Sequence, residues 1–486
     1  SWAPAVLNGK TVIRAGFAIS SFMEGGGSNE ELTQNLPFGF LQQQAAGGIY
    51  TVENGFGSTT AAACGGVINQ ACYNGQRIRI FDQNFRPATI NQWNVTFQEL
   101  LTNSLTFQLG YVGQRGSHLL NFEDVAQSIP LDASGKVAGR GDPIVTRAPG
   151  PFLGGDTAGS LYLADNPQFN APNCGTAGNP ACFGKAALAG TNMSNSDQSY
   201  NALQAVLQKR MSNGLQAQVS YTWSKCMSNS PGYFGTGWGS TGATSSGGQP
   251  GWENIYNPRL DWGPCYYDQT HILTSYVTYQ LPLGRGKQFG HDMNSALNAV
   301  LGNWEIGGII TLHSGNALTL NNFGGWGVGG NSDNTNGVGP QTLANLPDCN
   351  GPVSVLNQRV PASNGAAGYI QYMQNSITGP YQPAAANTFG TCSVGNIRGP
   401  RYANVDLSLH KDVLVTESKR LEFRFEALNA FNHPVWDFSG GPSGGSFDPG
   451  TWTIVNNVPQ STNPTFGKIT GSQGARELQL ALKFYF

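Results

Sequence analysis

The sequence predicts an all-β fold, an antiparallel transmembrane β-barrel that contributes about ten strands and carries long extracellular loops. Three observations lead there. Apolar and polar residues alternate with a period of two in some ten segments, the connections alternate between very short and very long, and the cysteines all fall in the long ones. Period two places successive side chains on opposite faces of a strand. A barrel wall in a membrane needs that pattern, with one face against lipid and the other against a wet lumen.

The last segment states the pattern most fully. Leu478, Leu480, Leu482, Phe484 and Phe486 form an apolar row, and Glu477, Gln479, Lys483 and Tyr485 form the other. Upstream, Leu421, Phe423, Phe425 and Ala427 alternate with Glu422, Arg424 and Glu426. The charged row is intolerable in lipid and reasonable in a water-filled or plugged interior. Similar runs fall at about 10–20, 91–101, 104–115, 201–210, 215–225, 271–281, 304–313 and 403–413, the length a tilted membrane strand requires. Thr102–Ser104, Met211–Gly214 and Val415–Ser418 are expected as tight turns. A longer connection at 282–303 holds Arg285, Lys287 and a short helix around Ser295–Leu301. The long loops, at about 22–90, 116–200, 226–270, 314–402 and 432–476, alternate with these, which is the asymmetry of an outer-membrane barrel. Trp93 and Trp304 near strand starts, and Tyr221 and Trp223 near a strand end, fit aromatic girdles, with ordinary strand aromatics as the weaker alternative.

Composition agrees. Only 11% of the 486 residues are charged and 66 are glycine, against roughly a quarter charged in soluble domains. The formal charge of -2 leaves no footprint for nucleic acid. No stretch reaches the roughly 18 consecutive apolar residues of a transmembrane helix. Ser1 has neither a basic nor an apolar leader behind it, so the chain reads as an excerpt of a longer precursor, with any secretion signal upstream.

The eight cysteines sit two to a loop: Cys64 and Cys72, Cys174 and Cys182, Cys226 and Cys265, Cys349 and Cys392. Pairing within each loop is the economical expectation, because only loop-mates are certain to be close. It implies an oxidising compartment such as the cell envelope. A metal role is the weaker alternative, since the pairs lack the short spacing and histidine partners of zinc sites.

Signals for chemistry are sparse, and no enzyme, cofactor or metal is expected. Gly441–Gly445 matches the nucleophile-elbow pattern without its strand-to-helix setting. Asn331–Gly337 carries oxygen ligands without the closing acidic ligand of a calcium loop. Arg14, Asp406, His410, Glu422, Arg424, Glu426 and Lys483 are candidates for a solute path or a plug-docking surface. The alternative is a cross-strand charge ladder among Asp406, His410, Arg424 and Glu426. In the outer loops Trp238, Trp252, Tyr256, Trp262 and Trp326 are candidates for stacking on sugars or other flat ligands, or else pack their own loops.

Several runs resemble the Oar-like TonB-dependent receptors of Acidobacteria. They are Gly9–Gly16, Asp82–Arg86 with Gln92–Asn94, Tyr111–Leu119, Tyr200–Gln204 with Tyr221–Lys225, Leu281–Lys287, Gly302–Gly307, Arg398–Pro400, Arg424–Pro434 and Phe466–Ile469, in family order. The resemblance implies an N-terminal extension, a plug and a barrel of about 22 strands, energised by TonB and importing a solute. Residues 1–486 would then be the C-terminal part of that one barrel domain, with the plug and N-terminal extension, and the rest of the barrel, outside them. Implied partners are outer-membrane lipid, the missing barrel half and plug, TonB through that plug, the barrel assembly machinery and an unidentified solute. Phe484 and Phe486 would form the assembly signal. The alternatives are a surface structural or adhesion protein with disulfide-braced loops and, more weakly, a passive porin.

Overall fold

The computed structural model describes residues 1–4, 9–22, 77–124, 129–148, 188–230, 252, 254–320, 346, 348–349, 355–362, 368–373, 381–382, 388–416, 419–437, 446–447, 452–455, 458–461, 467–469 and 471–486. Ten long strands make one antiparallel meander in chain order: β1 (Thr11–Phe22), β2 (Ala88–Thr102), β3 (Leu105–Asp124), β4 (Leu188–Ser212), β5 (Leu215–Ser228), β6 (His271–Gln280), β7 (Trp304–His313), β8 (Tyr402–Leu414), β9 (Arg420–Leu428) and β10 (Glu477–Tyr485). Off this path, Arg77–Phe81 runs parallel to the start of β4 and Gly263–Pro264 pairs with the end of β5. β1 and β10 end the sheet, which is open among the described residues. No helix among them is long and apolar enough to cross a membrane.

Eight of the ten strands lie within a few residues of their expected bounds, and two run far beyond. β3 reaches Asp124 and β4 begins at Leu188, where 104–115 and 201–210 were expected. The extra pairing, Leu119 to Asp124 against Ser196 to Gly190, follows register shifts beyond Gly116, and His118 there has a φ of 57°. Such an irregularity bends a strand pair without ending it.

Two of the short connections show how local chemistry sets the strand ends. Between β4 and β5, Ser212 pairs with Leu215, leaving the two-residue turn Asn213-Gly214 with φ of 53° and 75°. Two positive φ values match the right-handed twist of the strands, and Asn-Gly adopts them most easily. Between β6 and β7 lies α1 (Ser295–Leu301), whose cap Asn294 accepts the Leu297 N–H at 2.8 Å. Its last carbonyls are met by Lys411, whose Nζ donates to Gly302 O. All these short connections share one end of the sheet, and the five long loops share the other.

The registers sort the side chains into two continuous faces. Ile13, Val95, Leu109, Leu203, Val219, Val277, Ile306, Leu409, Phe425 and Leu480 all stand on one. Among the described residues little covers it: Phe17, Trp223, Leu480 and Leu482 remain 67%, 55%, 72% and 67% exposed. Contiguous apolar surface on this scale marks a contact with something other than water. The opposite face carries most of the sheet's amide, hydroxyl and charged side chains, with apolar exceptions such as Val12 and Ile309.

On the apolar face, Trp93 of β2 lies across Gly113 of β3, its cross-strand partner. A Cβ on Gly113 would stand 2.3 Å from the indole, so only glycine admits the ring. Gly113→Val should therefore lower the unfolding free energy of the barrel by about 1–3 kcal/mol, the usual cost of overpacking. Gly308→Ala, whose added Cβ would meet ordinary contacts at 3.4 Å, should change it little. Urea unfolding of both variants, followed by heat-modifiable gel mobility, checks the difference.

Candidate functional site

The polar face is the candidate site, and its first half is built of amides and hydroxyls. The registers bring Gln92 and Gln98, Gln108 and Gln114, Gln204 and Gln208, and Gln216 and Gln218 onto one side of β2 to β5. Thr274, Thr278 and Gln280 continue the row on β6. Gln92 donates to Gln114 at 3.1 Å, Gln218 to Ser220 at 3.1 Å, and Gln280 to Glu305 at 3.2 Å. Arg14 opens this half on β1, donating to Gln98 at 2.6 Å. Each amide keeps both donor and acceptor capacity, so the wall suits neutral polar groups or water without favouring either sign of charge.

The second half is charged. On β8 to β10 the same face carries Asp412, Arg420, Glu422, Arg424, Glu426 and Lys483. The Arg424 Nε donates to Glu422, and Arg420 lies 3.7 Å from Glu422 and 3.6 Å from Asp412. Tyr485 adds a hydroxyl to Glu422 at 2.9 Å, and the Arg420 guanidinium rests 4.4 Å from the centre of the Tyr485 ring. The expected charge ladder thus has different members. His410 and Arg424 are cross-strand partners, but the arginine turns along its own strand to Glu422, two residues away on the same face. Asp412 and Arg420, which alternation placed on this face without singling out, complete the network.

Asp406 closes the outer end of the wall. Its carboxylate accepts from Asn429 N at 2.8 Å and from Asn404 Nδ2 at 2.9 Å. Asn429 and Asn432 both have positive φ, 47° and 51°. Asn429 Oδ1 accepts from His433 N at 2.8 Å, and Asn432 Oδ1 from Arg476 N at 3.1 Å. The run Arg424–Pro434 is therefore the end of β9 followed by a turn whose asparagines tie it to β8 and to the entry of β10. Asp406 holds that turn by hydrogen bonds to uncharged donors.

Above the sheet, parts of different long loops are locked together. Asp268, its side chain 1% exposed, pairs with Arg398 at 2.6 Å and accepts from Cys226 N at 2.7 Å. The other arm of Arg398 reaches the Asp268 carbonyl at 2.7 Å. Arg140 donates to Gly390 O at 3.0 Å and to Leu260 O, over a small core of Ala138, Ile144, Leu260 and Phe389. Tyr372 donates to Arg398 O at 2.6 Å, and burial pushes its phenol up to about 12. It remains a donor at any physiological pH.

Two of the four expected disulfides are present, Cys226–Cys265 and Cys349–Cys392, although Cys226 lies within β5, which pairs on to Ser228, and not in the loop after it. Cys64, Cys72, Cys174 and Cys182 lie outside the described residues. Non-reducing peptide mapping should recover the two visible bridges and, for the other four cysteines, Cys64–Cys72 and Cys174–Cys182. Bridges running between loops would contradict loop-local pairing. Of the loop aromatics, Trp252 is 4% exposed with its indole N–H bonded to Asn229 O at 2.7 Å, so its ring packs the loop. Tyr256 and Trp262 are half-buried. Trp238, Trp326, Gly441–Gly445 and Asn331–Gly337 lie outside the described residues. No group of three or more potential metal ligands occurs among the described residues.

A family model described as an outer membrane beta barrel domain matches residues 1–479. No curated protein sequence matches the chain. Similar solved structures include the outer membrane transporter YddB from Escherichia coli, at 7% identity and a TM-score of 0.33, over 85% of this chain and 34% of that one. The ferric-catecholate import receptor Fiu from E. coli K12 is similar at 9% identity and a TM-score of 0.35, over 98% and 33%. The FrpB iron transporter from Neisseria meningitidis gives 9% and 0.31, over 84% and 33%. The chain spans about a third of the length of each.

Proposed function

This chain belongs to the outer membrane β-barrel domain family, and from that premise we propose that it forms the C-terminal part of the barrel of an Oar-like TonB-dependent transporter. The observation that carries the reading is the pair of continuous faces on a ten-stranded meander, with short turns at one end and long, cross-braced loops at the other. The apolar face meets lipid of the outer membrane. The polar face lines a lumen through which a hydrophilic solute passes, past amides on one side and the paired charges of β8 to β10 on the other. Work is supplied by TonB acting on a plug, and no bond in the solute need be made or broken.

The open edge of β10, and that of β1 apart from Ile13, which exchanges two backbone hydrogen bonds with Trp2, present backbone groups that a membrane tolerates only when they are paired. Further strands of the same precursor fill that gap, giving a barrel of about 22 strands, wide enough to hold a plug. Phe484 and Phe486, their rings 6.1 Å apart at the end of β10, form the signal read by the assembly machinery. Arg14, His410, Glu426 and Lys483 remain candidates to meet solute or plug.

The test uses the intact protein from native outer membranes. It should bind the periplasmic domain of TonB, and cells should take up its solute only while the inner-membrane proton gradient is maintained. A closed barrel of these ten strands alone, with steady single-channel conductance and no TonB binding, would overturn the proposal in favour of a passive pore. A second reading, a surface adhesion protein, draws support from the disulfides and the Asp268–Arg398 pair that stiffen the loops. Cell-to-cell binding lost on removal of those loops, with solute uptake unaffected, would favour it.

A further inference from the structure

The connection between β6 and β7 is the longest of the short-turn side, and α1 within it leaves its apolar side uncovered. Leu297, Val300 and Leu301 are 46%, 64% and 39% exposed. Their spacing of three and four places them on one stripe of the helix, with Ser295 opposite. The helix is fastened to the apolar face of the sheet. Trp304 donates from Nε1 to Val300 O at 3.0 Å, and Lys411, its cross-strand partner, reaches Gly302 O and stands 5.5 Å from the centre of the Trp304 ring. Trp304 and Lys411 share their face with Ile306 and Leu409, so the helix is held at the end of the surface that meets lipid. Arg285 and Lys287 of the same connection are exposed, while Asp292 is paired with His291 at 2.9 Å.

We propose that α1 lies in the interface of the inner, phospholipid leaflet of the outer membrane, its Leu297/Val300/Leu301 stripe among the acyl chains and Arg285 and Lys287 at the phosphate groups. This inference rests on the barrel reading. It adds a lateral lipid contact made by a periplasmic turn. A short helix with aliphatic residues on one side and nearby basic residues gains from burying the former and from attraction to anionic headgroups, and a tryptophan and a lysine at its root match the usual interfacial anchors. The contact fixes the depth of β6 and β7 in the bilayer.

Single cysteines at Leu297, Val300, Ser295 and Leu480 of the intact protein, each labelled with an environment-sensitive fluorophore in phospholipid nanodiscs, test this. The native cysteines need not be removed where they are oxidised. Labels at 297 and 300 should emit to the blue and lose most of their intensity to acyl-brominated phosphatidylcholine, whereas the label at 295 should be quenched by aqueous iodide. Leu480, on the apolar face of β10, serves as the lipid-facing reference. Bromolipid quenching at 480 with iodide quenching at 297 and 300 would overturn the interfacial helix and leave the barrel standing. Iodide quenching at 480 as well would overturn both.

Discussion

Leu409→Arg will deplete the folded protein from the outer membrane, and Ser408→Arg, one residue away, will not. Leu409 sits near the middle of β8 on the apolar face, between Ile306 and Phe425. An arginine at the bilayer midplane of a barrel's lipid face costs about 2–4 kcal/mol, since its charge must be hydrated through a local defect in the hydrocarbon. Ser408 stands on the polar face beside Gly307 and Glu426, where there is water and a carboxylate to meet the guanidinium. The measurement is the heat-modifiable, protease-resistant fraction in outer-membrane preparations, with total synthesis as the reference. Equal loss for both variants would mean that the two faces do not meet different solvents.

That contrast rests on the part of the fold most legible in the sequence. A sheet wet on one face and oily on the other has to alternate, so Leu478 to Phe484 and Leu421 to Ala427 declared both their strands and their faces. The same logic explains what could not be read. From Thr191 to Gln198, β4 continues through Thr, Asn, Met, Ser, Asn, Ser, Asp and Gln, which do not alternate. Polarity on both faces leaves no pattern, although the backbone still pairs with β3. The polar wall was half legible. Alternation put Arg14, Asp406, His410, Glu422, Arg424, Glu426 and Lys483 on one face, and the registers agree. Which carboxylate each arginine would choose depended on side-chain reach along and across strands, and the nine glutamines carry no charge that would mark a site. The resemblance located the run Arg424–Pro434, but only backbone geometry shows why it needs Asn429 and Asn432, whose positive φ turns the chain back. Asp268 and Arg398 are 130 residues apart in different long loops, and no local pattern links them.

Asp268→Ala should release the loops while leaving the barrel folded. The carboxylate is almost wholly buried and carries one charged partner, Arg398, plus the backbone N–H of the disulfide-bonded Cys226. Removing it leaves the buried Cys226 N–H without its acceptor, while Arg398, 38% exposed, loses the carboxylate but keeps the Asp268 carbonyl, so the cost is about 1–3 kcal/mol. That loss falls on the contact between the loop that Cys265 ties to Cys226 of β5 and the loop holding Cys349–Cys392, because Arg398 also anchors Tyr372 and pairs through its backbone with Ala317. The strands keep their own ladders, so the expected signature is uncoupled stability: fast cleavage of the surface loops by added protease on intact cells, with unchanged heat-modifiability of the barrel. Asp268→Asn should do less damage, since its oxygen can still accept from Cys226 N while only the charge is lost. Arg398→Lys should fall between them, because one ammonium cannot reach the carbonyl and the carboxylate of Asp268 in the forked geometry of a guanidinium. Unaltered protease resistance in Asp268→Ala would show that the two disulfides hold the loops in place without the ion pair.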